Sequence, residues 1–290
     1  MLLALNYHRI ARVEPGGDFW GLAVSPENFA SHLEVLTRHF EIVDARSASL
    51  AAAAGAPSVQ VLVTFDDGYA DTLHEALPAL QRHKVPALVF LASGYIGRTY
   101  FWWDAVEAMF RTRTASGIAV DEPRLRATWE ALRDQSPAQR DLVIRELLHR
   151  AGYPEIAADC RPLTEAEVTE LASCPLISFG GHTRWHPWLP SLTPEEMAEE
   201  ITMGKLDNEV LTGQRQVGFA FPFGATNADA QQAVVEAGFS LAFTTSPPKR
   251  GGEFSDLLSH PRVVVGNWEE EYFGDFLRNL CMSKEQNAQQ

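Results

Sequence analysis

The sequence predicts one α/β domain, a distorted (β/α) barrel of about seven to eight mostly parallel strands with a helical insertion. Three observations lead there. Short apolar runs of strand length alternate with longer helical patterns, the mark of βα units whose parallel sheet is buried on both faces. Eight such runs are present, enough to close or nearly close a sheet on itself. The 290 residues are 46% apolar, and a chain this long buries roughly three quarters of its unfolded surface, so its core needs neither disulfide nor partner.

The first strand is Leu2 to Asn6, four apolar residues closed by a polar one. Ser25 before Pro26 is an N-cap followed by a first-turn proline, so a helix runs from Pro26 to Arg38. Strands follow at Glu41 to Asp44 and at Gln60 to Phe65, the second rich in β-branched residues. Ala87 to Ala92 is a continuous apolar run of strand length. Residues 97–175 are longer than one crossover requires and carry helical periodicity in Trp129 to Leu132 and Leu142 to Leu148. They are read as an inserted helical subdomain that either covers the active face or pads the outside. After a strand at Leu176 to Gly180, Thr193-Pro194-Glu195-Glu196 has capping-box spacing and starts a helix. Strands at Val217 to Phe221, Leu241 to Thr245 and Arg262 to Val265 complete the sheet, and the polar Ser283 to Gln290 is expected to fray.

With 24 basic against 38 acidic residues the net charge is −14, which argues against a nucleic-acid partner, since such proteins gather Lys and Arg on one face. Three cysteines without a Cys-x-x-Cys pair suit a reducing compartment. The start lacks a basic n-region and a long apolar h-region, and no stretch approaches the ~20 apolar residues of a membrane span. The expectation is a cytoplasmic protein without a membrane span, its oligomeric state left open.

Two constellations could carry chemistry. The strand Val61 to Phe65 ends abruptly in Asp66-Asp67-Gly68-Tyr69, and the C-terminal ends of parallel strands form the active face of such folds. The plain alternative is a capping Asp beside a solvated one. The run before Gly180 leads into His182-Thr183-Arg184-Trp185-His186-Pro187, two histidines four positions apart, one helical turn, with Pro187 disfavouring α geometry at His186. Two histidines and one carboxylate are a ligand set for catalytic zinc with a position left for water. Tyr100-Phe101-Trp102-Trp103-Asp104 offers Trp102 and Trp103 as rings for a sugar face, or as anchors of the insertion in the core.

Thr64-Phe65-Asp66-Asp67-Gly68-Tyr69, His182-Thr183-x-x-His186 and Phe221-Pro222-Phe223-Gly224, in this order, resemble the first three motifs of the NodB-homology polysaccharide deacetylases. The resemblance runs from about Leu2 to Trp268. It implies a distorted (β/α) barrel holding one divalent metal, usually zinc, that hydrolyses N-acetyl groups from amino sugars. Carried over, Asp67, His182 and His186 hold the metal, with cobalt, nickel or iron also acceptable to such ligands. Asp66 is then the general base, and the backbone N–H of Phe223, on a loop shaped by Pro222 and Gly224, supports the oxyanion. Tyr69 and Pro222 are placed against substrate.

The family commonly has an arginine two residues before the proline, and this chain has Ala220 there. Arg262 is the nearest replacement by type and is expected to orient Asp66. For the acid that protonates the leaving nitrogen, Tyr7-His8-Arg9 resembles a late motif moved to the N-terminus in a circularly permuted branch. His8 is favoured over His260, which precedes its strand and would face the opposite rim. The implied substrate is an N-acylated amino sugar, as a saccharide unit or glycan precursor. An N-formyl sugar, a small amide, or an inert carbohydrate-binding homologue are the rival readings.

Overall fold

The computed structural model describes residues 1–48, 58–154, 156, 160–248 and 256–281. The predicted tail, Ser283 to Gln290, lies outside them. In chain order the elements that position the site begin with β1 (Leu2–Tyr7), β2 (Arg9–Ile10), β3 (Ala23–Val24) and α1 (Pro26–His39). They continue with β4 (Glu41–Ile42), β5 (Gln60–Phe65), α2 (Leu77–His83) and β6 (Ala87–Leu91). The 97–175 segment contributes α3 (Trp102–Met109), β7 (Arg111–Thr114), β8 (Gly117–Val120), α4 (Glu122–Arg133), α5 (Pro137–Arg150) and α6 (Glu165–Ala172). Last come β9 (Ile177–Gly181), α7 (Pro194–Thr212), β10 (Phe219–Ala220), α8 (Ala228–Glu236), β11 (Ala242–Phe243), β12 (Arg262–Val264) and α9 (Glu270–Cys281).

All eight expected strands join one sheet, in the order β11-β10-β9-β6-β5-β1-β12, with β4 also paired to β5. Every pairing in it is parallel. A parallel bridge from Phe243 to His260 brings the two ends of the sheet together. The last strands are shorter than expected: Val217 to Phe221 yields only Phe219–Ala220. Both helix starts are as read. Ser25 Oγ accepts from the Asn28 N–H at 3.2 Å, and Thr193 and Glu196 form a complete capping box.

Alternation along the strands divides the core in two. Leu3, Leu5 and Tyr7 of β1 and Val61, Val63 and Phe65 of β5 pack with α1, α2 and α9 residues on one face. Leu2, Ala4, Leu62, Leu88, Phe90 and Phe243 fill the other. Full burial of each leucine, valine or phenylalanine among them stabilises by roughly 1.5–3 kcal/mol. Toward the C-terminal end this second face turns polar, with buried Asn6, Thr64, Asp66 and Arg262. The 97–175 segment has its own apolar cluster around Phe101, Trp102, Trp103, Leu125, Leu132, Ile144 and Leu148. It is not purely helical. Arg111 to Val120 forms an antiparallel hairpin that turns through Ala115 and Ser116, a pair of strands short enough to pass for a linker. Among the described residues no helix is long and apolar enough to cross a membrane.

On the outer side, His32 stacks on Phe273 at 3.9 Å, with its ring nitrogens against the Tyr7 hydroxyl at 3.2 Å and the Trp268 carbonyl at 2.8 Å. Burial lowers its pKa to about 4. A histidine depressed in the fold contributes stability that is complete above its unfolded pKa near 6.5 and is lost as pH falls toward 4, roughly 3 kcal/mol in all. The melting-temperature advantage of wild type over His32→Phe should therefore shrink as pH is lowered across that window. An advantage that stays constant contradicts this assignment.

Candidate active site

The ladder between β1 and β5 ends with the Asp66 N–H bonded to the Tyr7 carbonyl at 3.0 Å. Beyond it the backbone turns left-handed at Asp67 (φ 72°) and Gly68 (φ 93°), which swings the two neighbouring carboxylates apart. A Cβ on Gly68 would lie 2.7 Å from a Leu91 methyl, so this turn requires glycine. After β9, Thr183 (φ 61°) and His186 (φ 48°) are also left-handed. Helical geometry between the histidines is therefore replaced by a loop, closed by the His186 N–H donating to Thr183 Oγ1 at 3.0 Å. Glu200 on α7 holds that loop by accepting from the N–H groups of Arg184 (3.1 Å) and Trp185 (2.8 Å). Of the six described non-glycine residues with positive φ, four are Asp67, Thr183, His186 and Phe223. Such strain gathers where surroundings fix a functional geometry.

Asp67, His182 and His186 are buried, and their ligand atoms lie within 4.8 Å of one another. Asp67 Oδ1 stands 3.3 Å from His182 Nε2 and 3.4 Å from His186 Nε2, yet it has no conventional hydrogen bond among the described residues. His182 Nδ1 meets the Ala220 carbonyl at 2.6 Å. That acceptor fixes the proton on Nδ1 and turns the Nε2 lone pair toward Asp67, the usual support of a metal-ligating imidazole. An orphaned buried carboxylate oxygen facing two imidazoles is a donor set that fits a divalent cation. Burial works against charge on His182, but Asp67 and Asp66 outweigh it and raise its pKa. Burial and the adjacent His182 hold His186 well below its ordinary value.

Asp66 faces a different partner. Arg262 on β12, fully buried, donates to Asp66 Oδ1 at 2.7 Å and Oδ2 at 2.6 Å. Its Nε donates to the Thr244 carbonyl and Nη1 also to Thr64 Oγ1, each at 3.1 Å. Burial alone would raise the Asp66 pKa, but the charges of Arg262 and His182 bring it down to about 2. Arg262 is thus the charged partner of Asp66 in the fold. His8 Nε2 lies 4.0 Å from Asp66 Oδ2, its side chain 16% exposed. His260 is at the far end of the sheet, with Nε2 3.2 Å from the Leu2 carbonyl, as its place before β12 implies.

Above these groups is a cavity of about 170 Å³. His8, Asp66, Asp67, His182 and His186 reach it, walled by Trp20, Leu22, Trp103, Trp129, Phe223 and Thr245. Trp103 and Phe223 pack on the His186 ring at 4.6 and 4.4 Å. Trp129 belongs to α4, so the 97–175 segment covers the active face.

Three expected contacts are corrected. Tyr69 is fully buried, its hydroxyl donating to Asp104 Oδ2 (2.9 Å) and accepting from Trp103 Nε1 (2.7 Å), so it braces Trp103 instead of meeting substrate. Trp102 is 1% exposed and stacks on Trp129 at 5.9 Å, an anchor of the insertion. Pro222 is buried beneath the loop and does not line the cavity. Sequence reasoning missed Trp20, Leu22, Trp129 and Thr245 as cavity walls. Trp129 carried only a helical-periodicity signal, and Trp20 stood alone in a turn.

The polysaccharide deacetylase family model matches residues 54–242. The Bacillus subtilis protein YxkH is 22% identical over 279 residues, 95% of this chain and 76% of that protein. The poly-beta-1,6-N-acetyl-D-glucosamine N-deacetylase of Staphylococcus epidermidis is 30% identical over 115 residues, only 34% of this chain and 38% of that one. In fold the chain resembles the Streptococcus pyogenes deacetylase PplD, with a TM-score of 0.65, 19% identity, and 96% and 97% of the two chains covered. It likewise resembles IcaB from Ammonifex degensii, with a TM-score of 0.64, 21% identity, and 97% of each chain covered. The match spans the Asp66-Asp67 turn, the His182 to His186 loop and the Phe221 to Gly224 turn, and the chain belongs to the polysaccharide deacetylase family.

Proposed function

We propose that the protein is a metal-dependent hydrolase that removes the N-acetyl group from an amino sugar, as a unit of a saccharide, polysaccharide or glycan precursor. The observation that carries this reading is the convergence of the two Nε2 atoms on the unsatisfied Asp67 Oδ1, at the floor of a cavity that Asp66, backed by the buried Arg262, and His8 also reach. Asp67, His182 and His186 would hold the ion, zinc being expected and cobalt, nickel or iron suited to the same ligands. When bound, such an ion lowers the pKa of a water toward neutrality and polarises an amide carbonyl.

The chain's own groups supply the proton transfers. Asp66, kept ionised and aimed by the two-pronged Arg262 contact, takes a proton from the attacking water. Asp67 cannot serve, because its oxygen faces the imidazoles. His8, on the exposed side of Asp66, gives a proton to the leaving nitrogen. The Phe223 backbone, held at φ 58° between Pro222 and Gly224, presents its N–H to the developing oxyanion. His8 in Tyr7-His8-Arg9 fills the role of the late motif, as a circular permutation would require. A cytoplasmic setting and a soluble precursor substrate belong to this reading.

Acyl release should be measured on N-acetylated sugars, N-formylated sugars and small amides, with chelation and metal return. The expected result is acetate from N-acetyl sugars, abolished by chelator and restored by zinc. Preferential formate or small-amide release selects the corresponding rival chemistry. Metal-loaded protein that binds sugar and releases nothing identifies an inert homologue and overturns the proposal.

A further inference from the structure

We infer that the inserted segment, together with the turn between β2 and β3, restricts the site to a terminal N-acylated sugar unit, either a free monosaccharide or the end residue of a glycan, and that Trp129 and Trp20 impose the limit. This rests on the deacetylase reading of the same cavity and names its substrate class.

The cavity, at about 170 Å³, is below the ~300 Å³ where pockets that enclose a drug-sized ligand begin. It has room for an acyl group and part of one ring, not for a chain laid through it. Its walls come from distant parts of the sequence and touch each other. Trp20, between β2 and β3, meets Trp129 of α4 with ring centroids 5.6 Å apart. Trp129 is braced on two further sides, edge-on to Phe223 at 5.4 Å and stacked on the buried Trp102 at 5.9 Å. Arg133, one turn along α4, lies over Trp188 at 4.3 Å and ties the helix to the loop that carries His186. The indole wall is therefore part of a packed unit. A pyranose whose acyl carbon reaches the Asp67, His182 and His186 cluster lies against this wall, in a cavity that Trp103 also lines. An indole against the apolar face of the ring adds affinity for one unit, and it blocks a neighbouring unit from continuing past it.

The test compares wild type, Trp129→Ala, Trp129→Phe and Trp20→Ala, all metal-loaded. The substrates are N-acetylglucosamine, its short oligomers and a long N-acetylated glycan, and mass spectrometry locates the freed amine. Wild type should act on the monosaccharide and on chain ends. Each alanine variant should lower the ratio of kcat/KM for short over long substrate by about tenfold, while Trp129→Phe keeps most of it. The Trp20 variant reaches the wall from a separate segment, so poor folding of Trp129→Ala does not blunt the test. Deacetylation of interior units by wild type, or an unchanged ratio in both alanine variants, overturns the inference.

Equilibrium binding of N-acetylglucosamine, followed by tryptophan fluorescence, separates this failure from failure of the deacetylase reading. If no sugar loses its acyl group but monosaccharide binding still weakens on Trp129→Ala, the reaction falls and the size limit stands. Equal binding by wild type and both alanine variants overturns the size limit.

Discussion

Asp66→Asn should lower kcat by roughly 10²–10⁴-fold, the usual contribution of a positioned general base, while leaving metal content and KM close to wild type. Asparagine keeps an oxygen for Arg262 to donate to but cannot take a proton. Asp67, His182 and His186 remain in place, so the loss belongs to the chemical step. A variant that loses its metal, or one that turns over at the wild-type rate, would assign Asp66 a different role. The contrast with Asp67 rests on direction. The left-handed turn sends one carboxylate to the imidazoles and leaves the other with Arg262.

Arg262→Met should have the largest effect on stability. Removing one partner of a buried ion pair leaves the other charge uncompensated and typically costs about 3–5 kcal/mol, a melting-temperature loss on the order of 10 °C for a chain of this size. Asp66 escapes part of that cost by taking up a proton, because burial alone raises its pKa once the opposing charge is gone. A carboxylate held low in the fold contributes stability above its unfolded pKa and loses it as pH falls toward about 2. In the variant the sign reverses, and stability should improve as pH is lowered from neutral. The acid limb of the pH–rate profile should move to higher pH for the same reason. The double variant Arg262→Met with Asp66→Asn should be more stable than Arg262→Met alone. Equal stabilities, with an unmoved pH profile, would show that the pair is incidental.

What the sequence disclosed and what it concealed follow from how each contact is made. Gln60 to Phe65 is legible to the residue because a nearly continuous apolar, β-branched run, buried on both faces, is a local property. The Asp67, His182 and His186 cluster is legible because each half closes a strand, and parallel strands deliver their C-terminal ends to one face. Arg262 was suggested by residue type alone. Its reach to Asp66 depends on β12 pairing with β1, the strand beside β5, an arrangement that spans nearly the whole chain. The resemblance places Tyr69 against substrate as part of the Asp66-Asp67-Gly68-Tyr69 motif, whereas the turn at Asp67 and Gly68 points it into the insertion's core. Trp20 and Trp129 stayed hidden because the packing of α4 against the site, and no local motif, brings them to the cavity. The hairpin from Arg111 to Val120 leaves little apolar signature because two four-residue strands, one mostly exposed and one half-buried, bury too little.

The most direct test is the metal content of the stripped and zinc-reconstituted protein, measured side by side for wild type, Asp67→Ala, His182→Ala and His186→Ala. Wild type should hold a single ion tightly, and all three variants should lose it. Undiminished binding in those variants, or wild-type protein that takes up no ion, would contradict this expectation.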